Sequence, residues 1–144
     1  MLRRKGREIA LQILYQIEIA KISLSEALQN YKNYLNIEGD LKAFSFAEEL
    51  LQGIAKQKDF LDALIQKYTQ NWPLDRLNLT DKNILRIALY EFFFRPDIPP
   101  VVSINEAVEL AKLYGTDESP AFINGILDRI YKNELEKERK HLSN

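Results

Sequence analysis

At 144 residues and a formal net charge of −1, the chain has the length of one ordinary domain, and its overall charge selects no partner. It contains no cysteine, which excludes disulfides, thiolate metal sites and thiol catalysis, and its single histidine, His141, sits in a charged tail, away from any Ser-His-Asp device inside the fold. The five glycines (Gly6, Gly39, Gly53, Gly115 and Gly125) are too far apart for a dinucleotide fingerprint or a P-loop, so no cofactor is expected; carboxylate or lysine chemistry stays open, but no pair stands out.

From Arg3 to Ala20, Ile9, Ala10, Leu11, Ile13, Leu14 and Ile17 recur at three- and four-residue spacings, which predicts an amphipathic first helix. Basic residues before an apolar run also open secretory signals, but Gln12, Gln16 and Glu18 interrupt this run and no small-residue cleavage site follows. A cytoplasmic protein with no membrane segment is expected. Ser23 and Glu26 form an S-x-x-E capping box that starts a second helix running to about Leu35, with a turn at Asn36–Asp40 after it. A long third helix is predicted over Leu41–Tyr68, its alternating three-four apolar repeat broken only at Lys58.

All five prolines lie between Pro73 and Pro120, so Asn71-Trp72-Pro73 reads as a seam between two halves of one domain, residues 1–71 and 72–135, with 136–144 a frayed charged tail. Thr80–Phe94 follows as a helix apolar nearly all round, the pattern of a central core helix, with Thr80 and Asp81 suited to its start. Arg95–Val102 is expected to be extended, because each residue before a proline is pushed out of the helical region. Ser103 and Glu106 read as a second capping box for a helix over Ile104–Tyr114 that ends on Gly115 as a left-handed cap. Ser119 as N-cap and Pro120 at the first helical position start a last helix to about Lys132. No period-two pattern survives, so the expected fold class is all-α, three helices and then three more.

Two features point to function. Arg3, Arg4, Lys5 and Arg7 precede the first acid, Glu8, and cations at a helix N-terminus oppose the macrodipole, so their clustering suggests an anionic partner. The competing reading is a solvated terminus with idle charges. Single-stranded nucleic acids are also held by aromatic platforms, and Tyr15, Tyr114 and Phe122 are candidates, the last two flanking the polar loop Gly115–Ser119. The competing reading is that Tyr114 and Phe122 are both core positions, and for Phe122 taken alone it is the stronger one.

Taken in order, the motifs RRKGRE-ALQ-LY (Arg3–Tyr15), NW-LDRL (Asn71–Leu77), D-N-LRIALYE (Asp81–Glu91), IP-V-INEAVELAK-YG (Ile98–Gly115) and FINGILD (Phe122–Asp128) resemble the NusB family of bacterial transcription antitermination factors. The resemblance implies two packed three-helix bundles and a non-enzymatic role. It implies binding of boxA-type RNA together with NusE, a small-subunit ribosomal protein, within an RNA polymerase antitermination complex that contains other Nus factors. It places the RNA surface at Arg3, Arg4, Lys5, Arg7, Tyr15, Tyr114, Glu118 and Phe122, and the NusE surface at Asp81, Lys82 and Glu91. The sequence departs from the family pattern at Glu118, where aspartate is familiar, and at Phe93 and Phe94, where polar residues are common and which either enlarge the core or form an apolar patch. Some relatives form homodimers, so a second copy is among the partners. Two other readings compete: a helical module that binds only protein, and a stand-alone relative of the RNA-binding domain of RNA methyltransferases, for which a chain of this length leaves no catalytic domain.

Overall fold

The structure is a computed structural model that describes residues 2–33, 38–70 and 77–136. Among these residues every regular element is helical: seven α-helices and a terminal π-helical turn. None of the described helices is long and apolar enough to cross a membrane. The chain forms two compact units, Met1–Lys56 and Gln57–Asn144. The expected seam at Asn71–Pro73, the tail beyond Glu136 and His141 lie outside the described residues.

The first unit comprises α1 (Leu2–Ala20), α2 (Leu24–Lys32) and α3 (Glu38–Lys56). α1 packs mainly against α3, burying Ile9, Ala10 and Ile13 on its inner stripe, while Ala43, Phe44, Ala47 and Leu50 are buried on α3. Lys21, with φ 55°, takes the left-handed conformation that stops α1, an uncommon choice for a residue with a side chain. The Ser23 hydroxyl then accepts the Glu26 backbone N–H at 3.0 Å, as the capping pattern implied. The predicted turn at 36–40 gives way to helix from Glu38 onward.

The expected 28-residue helix is in fact two. Gln57 leaves helical geometry (φ −105°, ψ 15°), so α4 (Lys58–Tyr68) starts at the Lys58 position where the apolar repeat slipped, and α4 belongs to the second unit. The remaining elements there are α5 (Leu79–Phe94), α6 (Pro100–Tyr114), α7 (Ser119–Ile130) and the π-helical turn Tyr131–Leu135. Three helices are followed by four. α5 touches α4, α6, α7 and the π turn, so its all-round apolar character is explained by neighbours on every side: Ile84, Leu85, Ile87, Ala88, Leu89 and Phe92 are all buried.

Four helix ends differ from expectation. α5 starts one residue earlier, with Asn78 rather than Thr80 as its cap; the Asn78 side chain accepts the Asp81 N–H at 2.8 Å. α6 starts at Pro100, whose missing N–H is harmless in a first turn, so only residues 95–99 are non-helical and Ser103 is not a cap. Its hydroxyl instead donates to buried Glu91 at 2.6 Å. At α7 the N-cap position is Glu118 and Ser119 is the first helical residue. Gly115 is not left-handed either: its φ of −93° suits any residue. Glycine is needed for space, because a Cβ there would lie 2.5 Å from Ser119 Oγ and 2.8 Å from Ala111 O.

The π turn is tied to the end of α4. Lys67 Nζ donates to Glu134 Oε1 at 2.7 Å and the Tyr68 hydroxyl donates to the same oxygen at 2.9 Å. The Glu134 hydrogen bond raises the Lys67 pKa, while burial foremost and then Glu134 raise that of Tyr68. Both groups therefore hold their protons longer when folded. Their stabilisation is complete below the unfolded values and is lost as pH rises through the higher folded ones, a window above about pH 10. Thermal melts should show a fall in stability from pH 9 to pH 11 that is smaller in Glu134→Gln; an equal fall in both proteins would remove this corner as its source.

Candidate functional site

The first candidate surface lies on α1. Arg3, Arg4 and Lys5 are exposed in its opening turns, but Arg7 is 3 % exposed and does not belong with them. The reason is helical phase. Residues 3, 6 and 7 share the face turned toward α3, where the guanidinium carbons of Arg3 and Arg7 stand 5.4 and 5.6 Å from the centre of the Phe46 ring. Arg7 is thus a packing cation, not an outward one. Tyr15 is half exposed, and it lies eleven residues after Arg4, close to three full turns, so the two share a face about 16 Å apart along the axis. A cation and an aromatic in line on one helix is an arrangement that can follow a nucleic-acid backbone and stack a base.

The second surface is in the other unit, where the α6–α7 loop meets the start of α5. Tyr114 is exposed at the end of α6, Glu118 is exposed, and Phe122 is half-buried in the first turns of α7. The loop between them is held by Ser119, whose hydroxyl oxygen accepts the Thr116 N–H at 2.9 Å. An open cavity of roughly 540 Å³ is lined by Asn78, Asp81, Thr116, Glu118 and Phe122, among others of the described residues. Residues that the resemblance assigned to two different partners therefore share one wall. The two carboxylates on its wall favour hydrogen-bond donors or positive groups.

Asp81 is less available than its sequence position suggested. It is 6 % exposed, its Oδ2 accepts from Asn78 Nδ2 at 3.2 Å, and its Oδ1 is buried with no hydrogen-bond partner among the described atoms. Lys82, next to it, is half-buried. Glu91 is 1 % exposed and bonded to Ser103, so no partner reaches it; it is removed from the partner surface as a buried tie between α5 and α6. Phe93 is half-buried and Phe94 is 36 % exposed; both rings meet the exposed Phe60 edge-on, at 5.3 and 5.9 Å. The pair is thus a partly open aromatic cluster rather than added core. Sequence reasoning missed Phe46, Asn78 and Thr116. The N-x-x-D spacing of Asn78 and Asp81 was a readable cap signal, whereas nothing local marked Phe46.

These features define an all-α protein whose conspicuous surfaces carry exposed cations, aromatics and a carboxylate-lined cavity. A family model described as the NusB family matches residues 4–132, and the chain belongs to that family, which is one of non-enzymatic transcription antitermination factors. It is 48 % identical over 130 residues to the transcription antitermination protein NusB of Myxococcus xanthus, covering 89 % of this chain and 93 % of the relative. Its fold is similar to that of T. maritima NusB, with a TM-score of 0.85, 39 % identity and 98 % of each chain covered. It is also similar to a chain in a crystal structure of the antitermination factors NusB and NusE in complex with double-stranded RNA, at a TM-score of 0.76 and 26 % identity, covering 91 % of this chain and 96 % of the other.

Proposed function

We propose that this chain is a cytoplasmic adaptor that loads boxA-type single-stranded RNA together with NusE and so promotes antitermination in ribosomal RNA transcription, alongside RNA polymerase and other Nus factors. The observation that carries this reading is the exposure of Arg4 and Lys5 in one helical turn, with Arg4 in line with an exposed Tyr15. Cations placed there oppose the helix dipole, so they are explained by an anionic ligand and not by helix stability. The solved assembly of a relative with NusE and RNA supports the same partners. The carboxylate-lined cavity at Asp81 and Glu118 suits a positively charged side chain of a protein partner. A second copy of the chain is included among the partners, to be checked by size measurement across a dilution series.

The test uses Arg4→Glu/Lys5→Glu, since both side chains are exposed and their loss should leave the fold unchanged. RNA affinity should fall, and the log–log dependence on salt should flatten by about 1.4, from roughly −0.7 per lost contact on a single strand. Anisotropy titrations with a boxA-type RNA between 50 and 200 mM salt, with NusE present, provide the readout. Unchanged affinity and slope in the variant would favour a module that binds protein alone, the reading to which the acidic cavity also lends weight.

A further inference from the structure

We infer that Phe46 of α3 is a positioning residue for the cations of α1: its ring clamps Arg3 and Arg7, and thereby holds the helical turn that presents Arg4 and Lys5. The inference rests on the reading of that terminus as an RNA surface, and it concerns the first unit alone.

The first turn of any helix is its weakest part, because its leading N–H groups lack intrahelical acceptors. Here it is weaker still. α1 has no acidic residue in its first turn, and four cations crowd its first six residues, repelling one another and opposing the dipole. Left to itself this turn would fray, and each RNA contact would then require it to be ordered again. Phe46 helps to hold this turn in place. Its ring is 7 % exposed, and it faces the guanidiniums of Arg3 at 5.4 Å and of Arg7 at 5.6 Å. Since Arg7 is itself 3 % exposed, this attraction is largely desolvated, the condition in which a ring quadrupole holds a cation most firmly.

Gly6 makes the approach close enough. A Cβ at that position would lie 2.7 Å from Phe46 Cδ2, so only glycine lets the helix settle onto the ring. Arg3, Gly6 and Arg7 thus form one contact face around Phe46, and the same helical geometry turns Arg4 and Lys5 outward. Two of the four cations hold the turn and the other two are displayed by it. An apolar side chain of similar volume would fill the space but lose the ring's own attraction for the guanidiniums.

Three variants of the full chain separate positioning from packing. Phe46→Leu keeps an apolar side chain and loses the ring, Phe46→Tyr keeps the ring, and Arg4→Glu/Lys5→Glu removes the displayed charges. Amide hydrogen exchange at residues 4–8 should quicken roughly five- to tenfold in Phe46→Leu, the equivalent of about one cation–π pair, and be restored in Phe46→Tyr. Exchange in the middle of α3 should be unchanged. Affinity for a boxA-type RNA, with NusE present, should fall in Phe46→Leu with its salt slope retained, because the same phosphates are still neutralised, whereas the charge variant should lose both affinity and slope. Unchanged exchange at residues 4–8 in Phe46→Leu would overturn the clamp, and so would equal acceleration throughout α1 and α3, the mark of a plain core residue. Unaltered RNA binding in the charge variant would instead overturn the RNA reading of the terminus, and the positioning role with it, irrespective of what Phe46→Leu does.

Discussion

Replacing Asp62 with alanine is expected to lower the unfolding free energy by about 2 kcal/mol, between the scales for an exposed bridge and for a buried ion pair, because Arg86 is buried while the Asp62 side chain is 32 % exposed. Arg86 is 4 % exposed in the middle of α5 and cannot deprotonate to escape burial. Its Nε and Nη2 donate to the two oxygens of Asp62 on α4 at 2.8 and 3.1 Å, and its Nη1 donates to Asn83 Oδ1 at 2.9 Å. Removing the carboxylate takes two hydrogen bonds from the buried guanidinium. The double variant Asp62→Ala/Arg86→Met should recover most of the loss, because it removes the charge as well as its partner and fills similar volume. Urea unfolding of the wild type, both single variants and the double variant gives the coupling directly. If Asp62→Ala costs under about 1 kcal/mol, the pair behaves as an exposed bridge and not as the link between α4 and α5.

Gly6→Ala is expected to destabilise the first unit by about 1–2 kcal/mol even though alanine is the better helix former. Propensity alone favours alanine by about 1 kcal/mol in a helix interior. Against it stands overpacking, typically about 1–3 kcal/mol when a core has no room. The new Cβ would meet Phe46 Cδ2 at 2.7 Å and, more decisively, the Ala43 carbonyl oxygen at 2.9 Å. A ring can rotate aside, but a backbone oxygen on α3 moves only with its helix. Gly125 in α7 is the matched control: nothing lies within 4 Å of a Cβ there, so Gly125→Ala should raise stability by about 0.5–1 kcal/mol. Denaturant midpoints of the two variants should shift in opposite directions. A gain in both would show that α1 approaches α3 less closely than the geometry states.

Asp81 is too buried for its replacement to test docking alone. A lysine there would lose the hydrogen bond between the Asp81 carboxylate and Asn78, place a cation at the start of α5, and put its stem where a 6 % exposed carboxylate now sits. Loss of a partner in Asp81→Lys would therefore mix docking with folding. Glu118, exposed on the same cavity, is the cleaner position for charge reversal.

Much of the architecture was legible in the residue pattern. The three-four repeats marked the helices, the all-round apolar run of α5 placed it at the centre of its unit, and the Ser23 cap was read correctly, because these depend on neighbours along the chain. The motifs likewise identified the family. The errors also have a common cause. Gln57 breaks a helix whose local pattern would have allowed continuation. The Ser103 hydroxyl, in a sequence context that reads as a cap, is drawn to Glu91 across a helix–helix contact. Gly115 is glycine because Ser119 approaches it, and not because of its own dihedral angles.

The candidate site divides along the same line. Sequence alone determined that the chain is all-helical, that its N-terminus gathers cations, and that its loops carry aromatics and acids, since composition and periodicity are properties of the chain itself. Only the tertiary structure decided which of those residues face outward. It turned Arg7 onto Phe46, buried Glu91 against Ser103 and set Asp81 beside Glu118 in one cavity. Burial is a relation between segments distant in sequence, and it exists only once the helices have packed.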